Sequence, residues 1–281
     1  MNTRKIGSLV LGMAIIGVCG QLQAAIVVGA MTSKFANDID TLTLSVSITS
    51  TPATARTLVV PFAWSALSSL DVQSVTYNGV PLTTTGANSS TADGTELSLT
   101  RIYYLPQVSV GTHDLVIKLN GSATTLYCGA LDLYTSDGRT SIVSNSNAYG
   151  ATSLYLPADF ISTTTRRDAN SVSVDAVINS LAILSFVPDN SQQKWGFGSG
   201  LHSAFTAGET YNTVDLTRAT SGWVANTTSG YMAQSTAEFV AVPEPGMIFT
   251  AIIASGSALM LRTRKPMAKN RMARAGSLLR V

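Results

Sequence analysis

Thr41-Leu42-Thr43-Leu44-Ser45-Val46-Ser47-Ile48-Thr49 alternates hydroxyl and aliphatic side chains without a break. Successive side chains of a strand point to opposite faces, so Leu42, Leu44, Val46 and Ile48 share one face and the hydroxyls the other. Period two over nine residues predicts a half-buried β-strand. The flanking sequence repeats the theme. Residues 57–64 form a β-rich run whose Pro61 predicts an edge strand or a bulge, because proline cannot donate to a ladder. Residues 72–77 reach Asn78-Gly79 and then Val80-Pro81-Leu82, which predicts a tight hairpin with both turn residues at positive φ. Residues 83–94 are small and polar and read as a surface loop. Residues 96–105 read as a strand ended by Pro106. Residues 115–119 alternate up to Asn120-Gly121, a second turn, and 126–134 form the next strand.

Further along, Val172, Val174, Ala176 and Ile178 alternate with Ser171, Ser173, Asp175 and Val177, and the apolar run continues to Val187. Residues 211–217, 222–225 and 232–240 complete the set of strand candidates. Between the two termini no segment of ten or more residues carries a 3.6-residue apolar stripe. Many short strands separated by Gly, Asn and Pro predict an all-β fold, a single jelly-roll-like β-sandwich over residues 26–242.

Both ends read as addresses. Arg4 and Lys5 precede an apolar stretch at 6–18, and Gln21-Leu22-Gln23-Ala24-Ala25 supplies small residues for a peptidase. This is the pattern of a secretory signal peptide, residues 1–25, cut after Ala24 or Ala25. The stretch is too short to span a bilayer comfortably. Its removal takes Cys19 away and leaves Cys128 alone, so an internal disulfide is excluded and the core must hold the fold.

At the other end, Pro243-Glu244-Pro245 precedes an apolar run at 246–261 and a basic tail at 262–281. Each proline fixes its own φ and biases the preceding residue toward extended geometry, so the segment is stiff and extended. Sixteen apolar residues at ~1.5 Å each give about 24 Å, short of the ~30 Å hydrocarbon core. Snorkelling by Arg262 and local thinning of the bilayer close the gap, and the run reads as a transmembrane helix. Arg262, Arg264 and Lys265 open the tail, whose seven basic residues are unopposed by acid. Residues 26–242 carry nine basic and fifteen acidic residues, a net of −6. The positive-inside rule then places the tail in the cytoplasm and the domain outside. An acidic domain excludes nucleic acid as a partner, since that binding depends on neutralising phosphates.

The C-terminal arrangement resembles the PEP-CTERM protein-sorting family of Gram-negative bacteria, whose tag is also labelled an ice-binding-protein C-terminal domain. The resemblance rests on Pro243, Glu244 and Pro245, the apolar run and the Arg262-x-Arg264-Lys265 cluster, about 24 residues. It implies recognition by an exosortase-type enzyme, inner-membrane anchoring before sorting, and delivery to the cell surface or extracellular matrix. Within the domain, Leu58-Val59-Val60, Val75-Thr76-Tyr77-Asn78-Gly79-Val80-Pro81-Leu82, Tyr103-Tyr104-Leu105 with Gly111-Thr112, and Gly129-Ala130-Leu131 are similar to β-sandwich modules of bacterial envelope proteins.

Catalytic motifs are sparse. Gly196-Phe197-Gly198-Ser199-Gly200 places Leu201 where a dinucleotide fingerprint needs its third glycine, and no Lys-Ser/Thr follows. His113 and His202 are the only histidines, too few with one cysteine for a transition-metal site. Glu96, Glu209 and Glu238 are the glutamates outside the tag. For calcium, Asn37, Asp38 and Asp40 offer oxygens from one segment, with Asp137 or Asp189 as further ligands; the same residues also build turns. For a glycan, Trp195, Tyr211 and Trp223 offer faces that stack on sugars; the competing reading places the two tryptophans in the core or its rim. The sequence therefore points to an exported, non-enzymatic envelope or matrix protein without a cofactor. The alternatives are a module that binds the cell's own exopolysaccharide and, third, a secreted hydrolase.

Overall fold

The computed structural model describes residues 26–49, 55–92, 96–135, 140–151, 159–160, 171–179, 186–188, 193–195, 203–207, 223–225 and 232–242. Every regular element in them is a strand. Among these residues no helix is long and apolar enough to cross a membrane. The signal-peptide segment, the sorting motif, the apolar run 246–261 and the basic tail lie outside them. The described residues all belong to one compact unit.

The first sheet contains β1 (Ile26–Ile48), β2 (Arg56–Ala66), β3 (Val72–Tyr77), β4 (Val80–Pro81), β5 (Thr83–Ala92), β6 (Leu97–Pro106) and β7 (Gly111–Thr135). Its order is β4-β3-β7-β2-β6-β5, with β1 on the other side of β7. All pairings are antiparallel. β7 is the spine. One of its edges pairs with β1 from Ile26↔Thr135 to Ile48↔Gly111. The other edge is shared: β3 takes the first half of β7 and β2 the second. The hairpin between β3 and β4 forms as its turn chemistry requires, with Asn78 at φ 51° and Gly79 at φ 76°.

Asn120-Gly121 does not end a strand. β7 runs through it, and the β1 register shifts between Ile39 and Thr41 at the same level. The residues that suit a turn here serve a bulge, where the extra residues bend the strand. Asn120 fastens the bend to the β2–β3 connection. Its backbone N–H donates to the Asp71 carbonyl, and its side-chain oxygen accepts from the Asp71 N–H at 2.8 Å. Gly121 is required by close approach: a Cβ there would lie 2.8 Å from Leu70 Cδ2.

The bend folds the first sheet over itself. Leu42, Leu44, Val46 and Ile48 of β1 and Leu115, Ile117 and Leu119 of β7 share one core with Leu58, Val60, Phe62 and Trp64 of β2. The opposite face of β2 joins a second core, in which Val59, Ile102, Leu131 and Leu133 meet Val172, Val174, Ala237 and Phe239. Every residue of β2 is therefore buried, which explains why 58–64 is apolar without a polar alternation. Pro61 departs from the expected edge or bulge. It lies in a central strand opposite Ile102 of β6, and pairing with β7 passes over Val60 and Pro61 without a register shift. The missing donor falls in that gap of the ladder.

Residues 83–92 form β5 where the sequence predicts a loop. Ala87, Ser89 and Thr91 are buried, with exposed residues between them. The alternation is present, but small hydroxyl residues on both faces hide it from hydropathy.

The second sheet contains β8 (Thr140–Ala151), β10 (Val172–Asn179), β12 (Gln193–Trp195), β13 (Ser203–Ala207) and β15 (Met232–Val242), in the order β12-β13-β10-β15-β8. The third contains β9 (Asp159–Phe160), β11 (Phe186–Pro188) and β14 (Trp223–Ala225), in the order β11-β14-β9.

Candidate functional site

The second sheet has one apolar and one polar face. Val172, Val174, Ala176 and Ile178 of β10, with Ala233, Ala237 and Phe239 of β15, enter the cores shared with the first sheet. Side chains alternate along each strand, so Ser171, Ser173 and Asp175 of β10 and Gln234, Thr236 and Glu238 of β15 occupy the opposite face. The register puts Ser173 across from Glu238, Asp175 across from Thr236, and Val177 across from Gln234.

A polar outer face is ordinarily wet, yet all six of these residues are buried, and Asp175 and Glu238 are each 0% exposed. Two hydrogen bonds run within the face. Ser171 Oγ donates to Glu238 Oε1, and Gln234 Nε2 donates to Asp175 Oδ2 at 3.1 Å. Ser173 Oγ and Gln234 Oε1 have no hydrogen-bond partner. Across from Glu238 and Phe239 the register skips Ser144, so the extra residue, a bulge, lies in β8.

A second buried ionic group lies in the first sheet. Arg56 Nη1 contacts Asp132 Oδ2, and the guanidinium sits 4.8 Å above the Tyr134 ring. Burial pushes the Asp132 carboxyl above its ordinary range, and Arg56 pulls it partly back. The first strand makes room with Gly29, where a Cβ would come within 2.9 Å of Asp132 Oδ2.

The residues singled out by sequence fare unevenly. Trp195 lies in β12 opposite Phe205, which is itself opposite Ala176. Trp223 lies in β14, between Phe160 and Pro188, so the two tryptophans belong to different sheets. Tyr211, His202, Asp137, Asp189 and the 196–200 glycine segment lie outside the described residues, as do Pro243, Glu244, Pro245, Arg262, Arg264 and Lys265. Asn37, Asp38 and Asp40 are exposed at the β1 bend, with Asp38 at φ 53°. Among the described residues no three His, Cys, Asp or Glu side chains come together to hold a metal. His113 packs edge-on against Tyr77, 5.5 Å between centroids.

The buried acids escaped sequence reading because an alternating strand looks the same whether its polar face meets water or a covering layer. The available signal was an acid inside each of two strands whose other faces are apolar apart from Ser235. No family model matches the chain, and no curated protein is significantly similar to it.

Proposed function

We propose that the chain is an exported cell-envelope or extracellular-matrix protein without enzymatic activity, sorted by a PEP-CTERM-type tag. The domain is a β-sandwich of jelly-roll type, made outside the cytoplasm after removal of residues 1–25. Residues 246–261 anchor it in the inner membrane, and the basic tail fixes the orientation. An exosortase-type enzyme reads the extended Pro243-Glu244-Pro245 segment and releases the domain to the surface of a Gram-negative cell.

The observation that carries this reading is the order of three signals at the C-terminus: a rigid Pro-Glu-Pro, an apolar run and a basic cluster. Two further features support it. β15 ends at Val242, the residue before the motif, so the motif follows a finished sheet. Asp175 and Glu238, the acids brought together on one face, are fully buried and out of reach of a polymer substrate, which favours a non-enzymatic role. The exopolysaccharide-binding alternative draws less support, because Trp195 and Trp223 lie in strands of different sheets.

The test is a pulse-chase of the full chain in a host that carries an exosortase, comparing wild type with the triple variant Pro243→Ala, Glu244→Ala, Pro245→Ala. The wild type is expected to convert to a shorter species at the surface. The variant is expected to stay at full length in the inner membrane. Equal conversion of both sinks the sorting role of the motif.

A further inference from the structure

β5 and β6 turn one face to the second sheet and the other to solvent. Ser98, Thr100 and Ile102 of β6 and Ser89 and Thr91 of β5 are buried, and Thr100 Oγ1 lies 2.8 Å from Ser235 Oγ of β15. The alternate residues point the other way. There Leu99, Arg101 and Tyr103 of β6 are half-buried, and Thr84, Asn88 and Ser90 of β5 are exposed. The register sets Thr84 across from Tyr103, Asn88 across from Arg101 and Ser90 across from Leu99. These residues form a platform two strands wide, with about 4.8 Å between strands and about 6.7 Å between same-face neighbours along each strand.

Two contacts hold its functional groups in place. The Tyr103 ring stacks on the fully buried Phe62, 5.6 Å between centroids at 28°. On its β5 side the ring faces only Thr84, too small to cover an aromatic face, so that face stays open. Arg101 is fixed from two sides. Its guanidinium lies 5.6 Å above the buried Trp64 ring, and Nη1 is 2.6 Å from Asp71 Oδ1. The same oxygen accepts from the Val72 N–H at 2.8 Å. The Val72 N–H and Arg101 hold the Asp71 carboxyl below its ordinary range. The carboxylate is 67% exposed, so its remaining lone pairs face water.

An open aromatic face is negative at its centre and attracts the polarised C–H groups of a sugar ring. Hydroxyls need donors and acceptors side by side. Arg101 donates, Asp71 accepts, and the Asn88 amide does both. The charges of Arg101 and Asp71 cancel, and the domain carries a net −6, so an acidic polymer is disfavoured. The rim of Thr and Ser lacks the apolar centre of a protein interface. We propose that Tyr103, Arg101, Asp71 and Asn88 form a binding site for a neutral polysaccharide. The site is separate from Trp195 and Trp223, and it rests on the domain and not on the sorting tag.

The test is affinity electrophoresis of the full chain in detergent. Native gels contain, in turn, dextran, galactomannan, hydroxyethylcellulose and the acidic polymer alginate. At least one neutral polymer is expected to retard the wild type, and alginate is not. Tyr103→Leu keeps apolar bulk against Phe62 but loses the flat ring, and is expected to weaken retention about fivefold. Asn88→Ala, at an exposed position, is expected to weaken it about threefold, and it stands as the readout if Tyr103→Leu fails to fold. Trp223→Phe is expected to bind as the wild type does. Retention by no neutral polymer, or by alginate alone, overturns the site. Unaltered retention in both Tyr103→Leu and Asn88→Ala, or its loss in a folded Trp223→Phe, overturns it as well.

Discussion

Arg56 and Asp132 show how one residue pair can govern a fold with little charge. Their side chains are 2% and 1% exposed, so neither can exchange its partner for water. Removing one member of such a pair leaves the other charge buried, at a cost of about 3–5 kcal/mol, whereas an apolar replacement of both is often neutral. Asp132→Ala is therefore expected to lower urea stability by that amount, and Arg56→Met with Asp132→Leu to recover most of it. A loss under ~1 kcal/mol in the single variant, within the range of an exposed pair, would mean that the pair is not closed in solution. Cys128 offers a second check. It is fully buried, its thiol donates to the Gly129 carbonyl at 3.3 Å, and burial pushes its pKa up. The thiol, not the thiolate, is then the resident form at any ordinary pH, and the thiol is unreactive. In a Cys19→Ser background, labelling by DTNB at pH 8 is expected to follow the urea unfolding curve. Fast labelling below the transition would show local opening of β7.

At the scale of elements, the bend of β1 and β7 decides the architecture, and it is the part least legible in sequence. The strict alternation at 41–49 was enough for a strand with its apolar side chains inward, and Asn78-Gly79 was enough for a hairpin. Asn120-Gly121 carries the same chemistry but sits in a continuous strand, because a bulge and a turn both favour residues that tolerate unusual φ. Only the partner strand distinguishes them, and it lies some eighty residues away. β5 was hidden for a different reason: Ser, Thr and Ala on both faces give no hydropathy contrast, although Ala87, Ser89 and Thr91 are buried. The buried Asp175 and Glu238 were legible as members of alternating strands, but what covers a face is a tertiary fact. The bend makes its own prediction. Gly121→Ala would place a methyl 2.8 Å from Leu70 Cδ2, the end of a movable side chain. Gly121→Ala is expected to cost about 1–3 kcal/mol, as overpacking does. In a double-mutant cycle Leu70→Ala should relieve part of that, with a coupling above ~0.5 kcal/mol. Additive effects would show that Leu70 does not press on the bend.

At the scale of the molecule, the position of β15 ties the fold to the fate of the C-terminus. β15 lies between β10 and β8, and its last residue, Val242, pairs with Thr140. Pro243 follows at once and has no N–H with which to extend the ladder. Cleavage after Val242 therefore spares every pair of the second sheet. Cleavage a few residues earlier does not. Phe239 and Ala241 belong to the core shared with Val59 and Leu131, and Phe239 packs edge-on against Tyr104 at 6.0 Å. Loss of a buried Phe side chain alone costs about 3–5 kcal/mol, and removing Glu238 to Val242 also strips the pairing with β8 from Asn145 to Thr140. Set against a total stability of about 5–15 kcal/mol for a domain, that deletion leaves little or nothing. A chain stopped after Val242 is expected to melt within about 2 °C of the full chain in the same detergent, a shift below the ~1 kcal/mol level. A chain stopped after Ala237 is expected to show no cooperative transition by circular dichroism. If the longer truncation product also failed to melt cooperatively, residues beyond Val242 would be part of the fold, and removal of the tail could not release an intact domain.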